Sequence, residues 1–170
     1  MRVFGIVGAC PGRTELVARL VAEVTARGLR VSTIKRVPDA LDLDRPHSGT
    51  WAQRDAGAAE VMLASATRIA LLRELPTDAD EPDIDFLLGR LAPVDLVLLD
   101  GFRLTAHPKL EYVRRGQDRR MLALDDPSVL AVTADDAVAA PVPLLPVDEI
   151  ATLADFVLAH AVRVGTPELV

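Results

Sequence analysis

Directly after an apolar opening run, the chain reads Gly8-Ala9-Cys10-Pro11-Gly12-Arg13-Thr14, an order of residue types suited to phosphate chemistry. A glycine-rich turn feeding a helix offers free backbone N–H groups and the positive end of the helix dipole, and both attract anions. The tightest cradle for nucleotide phosphates reads Gly, four residues, Gly, Lys, then Ser or Thr. Here three residues separate the glycines, Pro11 removes a backbone donor and arginine replaces lysine. Arg13 keeps a positive charge with two planar donors, but not the compact ammonium of a lysine. Thr14 keeps the hydroxyl that would bind magnesium, and Glu15 sets a carboxylate beside it. The competing reading is a tight strand-to-helix turn with a solvated arginine. For Cys10 a small turn residue is the commoner case than a reactive thiol.

The elements that must position these groups follow from periodicity. Val3 to Val7 is a short β-branched run, expected as a central strand buried on both faces. Leu16, Val17, Leu20, Val21 and Val24 then recur at helical spacing, with Thr14 as the expected N-cap and Gly28 as the stop. Leu29 to Ile34 is the next strand, completing a β-loop-α-β unit with a right-handed crossover. The stretch from Arg36 to Thr50 is rich in Pro and Asp and is expected as a long working loop. A brief helix over Trp51 to Gly57, strands at Glu60 to Ala64 and Arg68 to Leu72, an acidic loop from Asp78 and a helix over Ile84 to Leu91 come next. Val94 to Leu99 is a strong buried strand ending in Asp100-Gly101. Leu110 to Val113 is expected at a sheet edge, Val129 to Thr133 and Val142 to Leu145 as later strands, and Asp148 to Val162 as a closing amphipathic helix. The alternation implies an α/β fold, a mainly parallel sheet with helices on both faces, in a single domain over 1–164 with a tail at 165–170.

Composition sets limits on function. With 170 residues, half of them apolar, the chain fills one core. A formal net charge of -6 argues against a nucleic-acid footprint. One cysteine forbids an internal disulfide and fits a reducing, cytoplasmic compartment. No apolar stretch is long enough to cross a bilayer. His47, His107 and His160 lack ligand spacing. Asp39, Asp42 and Asp44 read as solvated loop charges.

In order along the chain, Ile34-Lys35, Asp42-Leu43-Asp44-Arg45-Pro46, Arg54-Asp55-Ala56-Gly57-Ala58, Leu99-Asp100-Gly101-Phe102-Arg103, Pro108-Lys109-Leu110-Glu111 and Asp125-Asp126-Pro127-Ser128-Val129-Leu130-Ala131-Val132 resemble the landmarks of the molybdopterin-guanine dinucleotide biosynthesis protein B (MobB) family. The resemblance spans nearly the whole chain. It implies a P-loop NTPase-like fold, usually a homodimer, that binds GTP with Mg2+ and assists a MobA-type guanylyltransferase in attaching GMP to molybdopterin, with at most weak GTPase activity. Contact with molybdopterin or a molybdoenzyme is also implied, and an adaptor without nucleotide or a small active GTPase are the rival readings.

Carried over by position, Gly8, Ala9, Cys10, Pro11, Gly12, Arg13 and Thr14 form the phosphate loop. Asp100, where the family usually has glutamate, is the catalytic candidate and shares magnesium with Thr14. Arg36-Val37-Pro38-Asp39 and His47-Ser48-Gly49-Thr50 depart from the family's His-rich and Gly-Lys-Asp-Ser stretches. Lys35, at the ligand end of its strand, is a candidate phosphate or pterin contact. So is Arg54, whose alternative is pairing with Asp55 or Asp44. Arg103 and Lys109 are expected as a basic rim. Asp135 and Asp136 follow a late strand where a guanine edge is often read, without the usual surrounding signature.

Overall fold

Val3 and Phe4 are neighbours in sequence and pack on opposite faces of one sheet, which explains why the opening run has no polar position. The computed structural model describes residues 1–9, 11–37, 44–75, 82–114 and 120–165. The opening strand β1 (Arg2–Val7) lies between β5 (Leu96–Asp100) and β6 (Lys109–Val113), parallel to both. The sheet continues to β2 (Val31–Lys35) on one side and to β7 (Val129–Ala134) and β8 (Leu144–Pro146) on the other. All of these pairings are parallel. A short strand β9 (Val162–Arg163) pairs antiparallel with the start of β1.

Two apolar layers enclose the sheet. On one face Phe4, Ile6, Leu96, Leu98, Leu110 and Tyr112 meet the apolar stripes of α1 (Arg13–Ala26) and α4 (Ile150–His160). On the other face Val3, Val97, Leu99 and Phe102 meet Leu88 of α3 (Ile84–Leu88). Helices on both faces of a mainly parallel sheet are what the alternating pattern predicts.

Several elements differ from their sequence expectation. β6 is an interior strand, not an edge, and its polar positions are satisfied one by one. Lys109 is fully buried (0% exposed) and donates from Nζ to Thr105 O, to Ser128 Oγ and, at 3.1 Å, to Asp126 Oδ2. It therefore belongs to the core and not to a basic rim. Glu111 accepts from the backbone N–H of Leu122 and Ala123, each at 2.8 Å, and so holds the start of a 3-10 turn over Leu122–Leu124. The first helix starts at Arg13 with Gly12 as its N-cap, two residues earlier than Thr14 would place it. The closing helix ends at His160, and the residues after it form β9.

The chain divides into two compact units, 1–36 with 83–170 and 37–82. The second unit holds α2 (Gly49–Asp55) and an antiparallel hairpin of β3 (Glu60–Ala64) and β4 (Ile69–Arg73). Ser48 caps α2 by accepting from Trp51 N–H at 3.0 Å, and Asp44 accepts from the hydroxyls of Ser48 and Thr50, both at 2.9 Å. Burial opposes the Asp44 charge, yet those hydroxyls, the Arg45 backbone and Arg54 hold its carboxyl below the ordinary value. Among the described residues no helix is long and apolar enough to cross a membrane.

Candidate functional site

Parallel pairing brings the carboxyl ends of β2, β1 and β5 to one level. Lys35 and Ile6 are both register partners of Asp100. The Arg36 N–H donates to Asp100 O at 2.9 Å and the Gly101 N–H to Ile6 O at 3.0 Å, so the turn after β5 is fixed to both neighbours. Asp100 thus arrives beside the phosphate-loop candidate with its side chain only 2% exposed.

The connection from β1 to α1 runs through Gly8 to Gly12, of which Cys10 lies outside the described residues. Gly8 has φ +131°, and a Cβ there would run into the Tyr112 carbonyl oxygen of β6. Only glycine allows the backbone to approach β6 this closely in that conformation. A Cβ on Gly12 would sit 2.7 Å from the Tyr112 ring. Gly12 gives α1 no side-chain cap, so the first-turn amides face the loop, as anion binding at a helix start requires. Ala9 and Pro11 are exposed.

With Gly12 taken as the second glycine of the phosphate-loop pattern, counting back over four intervening residues puts the first-glycine place at Val7, the last residue of β1. The special backbone conformation falls one residue later, at Gly8. Here the departure is one of register between strand and loop, more than a missing residue.

Four polar side chains converge. Arg13 Nε donates to Asp100 Oδ1 at 2.5 Å, and Arg13 Nη1 donates to Gly8 O. Lys35 Nζ donates to Thr14 Oγ1 at 3.1 Å and stands 4.0 Å from Asp100 Oδ2. Gly101, with φ +93°, admits the guanidinium: a Cβ there would lie 3.0 Å from Arg13 Nη2. Two cations thus flank the Asp100 carboxylate at the start of a helix whose first turn also carries Glu15. Arg103 is exposed and lines a small recess with Gly8, Ala9 and Glu111.

Magnesium favours oxygen ligands and is commonly held by one or two carboxylates together with substrate phosphates. By residue type, Thr14 and Asp100 fit it. By arrangement they do not, because Arg13 occupies one oxygen of Asp100 and Lys35 lies at the Thr14 hydroxyl and beside the other. Among the described residues no group of three or more His, Cys, Asp or Glu is placed to hold a metal.

A second feature adjoins the loop. A cleft of 330 Å³ is lined by Gly12, Glu15, Arg19, Tyr112, Arg114 and Asp135, among others. Tyr112 Oη donates to Asp135 Oδ1 at 2.5 Å, and Arg114 Nε stands 3.1 Å from Asp135 Oδ2. Sequence reading found Asp135 but missed Tyr112 and Arg114, whose signal was the alternation of polar and apolar residues along β6. Arg54 lies in the second unit, where it pairs with Glu74 at 2.6 Å and Asp44 at 3.5 Å. The Asp44 alternative is therefore the one formed. His107 is partly buried, and desolvation, aided by Lys109 and opposed by Asp85, holds its imidazole below the ordinary 6.5.

Residues 3–135 match a family model described as MobB, molybdopterin guanine dinucleotide synthesis protein B. The chain belongs to the MobB family. It is 36% identical over 150 residues to the molybdopterin-guanine dinucleotide biosynthesis adapter protein of Escherichia coli strain K12, covering 86% of this chain and 85% of that one. The adapter protein of the same description from Haemophilus influenzae is 30% identical over 158 residues, covering 91% and 86%. A crystal structure of molybdopterin-guanine biosynthesis protein B superposes with a TM-score of 0.71 at 27% identity, over 92% of this chain and 98% of that one. Bacillus subtilis MobB shares the fold, with a TM-score of 0.70 at 18% identity over 95% and 98%. The α/β, P-loop-like fold expected from sequence is thus the MobB fold.

Proposed function

We propose that this MobB-family chain is a cytoplasmic accessory protein of molybdenum cofactor maturation, assisting a MobA-type guanylyltransferase in converting molybdopterin to molybdopterin-guanine dinucleotide. The observation that carries this reading is its similarity, over most of both lengths, to proteins described as adapters of that biosynthesis. The geometry supports a nucleotide role of binding rather than turnover. The first-turn amides of α1, Arg13, Lys35 and Arg103 supply donors and positive charge for phosphates, with Gly8 to Gly12 as the cradle. GTP is the proposed ligand, its base placed in the cleft beside Tyr112 and Asp135. Magnesium, expected with it at Thr14 and Asp100, meets the chain's own cations there. Asp100 is the catalytic candidate, and its ion pair with Arg13 leaves it poorly placed to orient an attacking water. Arg54, tied to Asp44 and Glu74, is assigned to ordering the second unit.

Reconstitution tests the reading. A MobA-type guanylyltransferase given molybdopterin and GTP is expected to form more dinucleotide when this protein is added, at a GTP-hydrolysis rate no higher than without it. An unchanged yield would sink the accessory role, and rapid GTP turnover by the protein alone would favour a GTPase.

The chain is also proposed to be a homodimer through its hairpin. Met62 faces Leu71 and Ala64 faces Ile69 across the two strands, and Met62 and Ile69 are 63% and 73% exposed. A lone two-stranded sheet with apolar residues in water is marginal, and pairing with a second copy would cover it. Ile69→Glu is expected to raise the dimer dissociation constant at least about tenfold by burying a charge at that contact. Light scattering at decreasing concentration reads it, and an unchanged dimer places the interface elsewhere.

A further inference from the structure

We infer that this site takes its phosphate ligand without a divalent cation, the Arg13 guanidinium and Lys35 ammonium standing in for the metal. The inference rests on the phosphate-binding reading of the same loop. Its basis is the set of partners at the two groups expected to hold magnesium. Asp100, 2% exposed, has Oδ1 in an ion pair of 2.5 Å with Arg13 Nε and Oδ2 at 4.0 Å from Lys35 Nζ. The Thr14 hydroxyl accepts from Lys35 at 3.1 Å.

The guanidinium is built into place and is not a loose surface group. Nη1 is anchored on the Gly8 carbonyl across the loop, and Gly101 leaves a gap where any side chain would press on Nη2. A metal ion would have to expel the guanidinium from a nearly buried carboxylate and then sit beside two displaced cations, so like-charge repulsion and lost hydrogen bonds oppose it together. An anion faces the opposite balance. Arg13 and Lys35 exceed Asp100 by one positive charge and the start of α1 adds roughly half a charge of the same sign, while exposed Glu15 in that first turn, lining the neighbouring cleft, sets one negative charge against them. Nε and one Nη1 donor are used internally, which leaves the Nη2 donors of Arg13 for phosphate oxygens. Lys35 is half exposed and has donors beyond the one given to Thr14.

Calorimetric titration of GTP into the purified protein, once in magnesium buffer and once after chelation with EDTA, decides the matter. The two dissociation constants are expected to agree within about twofold. A loss of about tenfold or more on chelation overturns the inference while leaving the phosphate site intact. Absence of binding in both buffers overturns the phosphate reading and the inference with it. In Arg13→Ala the Asp100 carboxylate loses its internal cation, and GTP binding is then expected to become dependent on magnesium by at least about tenfold. If the variant remains folded by circular dichroism and binds GTP equally well with and without the metal, Arg13 is not what excludes it, and the inference fails. If the variant does not fold, the wild-type comparison alone settles the question.

Discussion

Replacing Gly8 by alanine is expected to lower the unfolding free energy by about 3 kcal/mol or more and to abolish the GTP binding proposed for this loop. Two independent costs meet at this position. The backbone is at φ +131°, which an L side chain rarely adopts, and the added methyl group would overlap the Tyr112 carbonyl oxygen. Neither neighbour can yield cheaply, because Tyr112 belongs to an interior strand flanked by β1 and β7. The loop must therefore lift away from β6, taking Arg13 off its Gly8 anchor and changing where the α1 amides point. Urea denaturation and GTP titration read both effects. Gly49→Ala, where an added Cβ meets nothing within 4 Å, is the matched control. Stability of Gly8→Ala within about 0.5 kcal/mol of the parent would show that the loop is not pinned to β6 as described.

The second large effect is expected inside the sheet. Asp126→Ala leaves the Lys109 ammonium, 0% exposed, without its counter-charge, and removing one member of a buried pair costs about 3 to 5 kcal/mol. Lys109→Met should cost less, about 1 to 2 kcal/mol, because Asp126 is 23% exposed and keeps its bonds from the Ser128 N–H and hydroxyl. The ordering of the two variants in urea denaturation is the test, and equal losses would contradict the asymmetry of burial.

A pH dependence follows with a definite sign. Burial raises the Asp126 carboxyl, but Ser128 and Lys109 outweigh it and hold the group below its ordinary 3.8. The unfolded chain thus binds this proton first as the medium acidifies. Its stabilising contribution is complete above 3.8 and is lost as the pH falls through the depressed folded value. Asp126→Asn should flatten that part of the stability profile, and an unchanged acid limb would exclude the assignment.

What the sequence reveals and conceals divides along physical lines. β1, α1, β5 and β7 were legible because their apolar positions follow one period and are buried in bulk. β6 was not, since Lys109, Glu111 and Tyr112 make it read as a wet edge. Each of these groups is satisfied by a partner distant in sequence, and pairing of that kind leaves no trace in local periodicity. The same limit explains the site. That Arg13, Thr14, Lys35 and Asp100 would share one end of the sheet followed from their places at or after the carboxyl ends of parallel strands, whereas the choice of Arg13 for Asp100, and of Lys35 for Thr14, is a matter of side-chain reach. β9 went unseen because two residues carry no periodic signal.

The antiparallel pairing of Arg163 with Arg2 has a practical side. It holds the amino-terminal residue and the stretch around Val164 together, with the Val164 N–H donating to Met1 O at 3.1 Å. The glycine turn lies at the opposite end of the six-residue strand β1, roughly 20 Å away at the usual rise. Tethering the protein to a sensor surface by its amino-terminal end should therefore leave the proposed phosphate loop facing the flow, and a reporter domain fused there should not shade it.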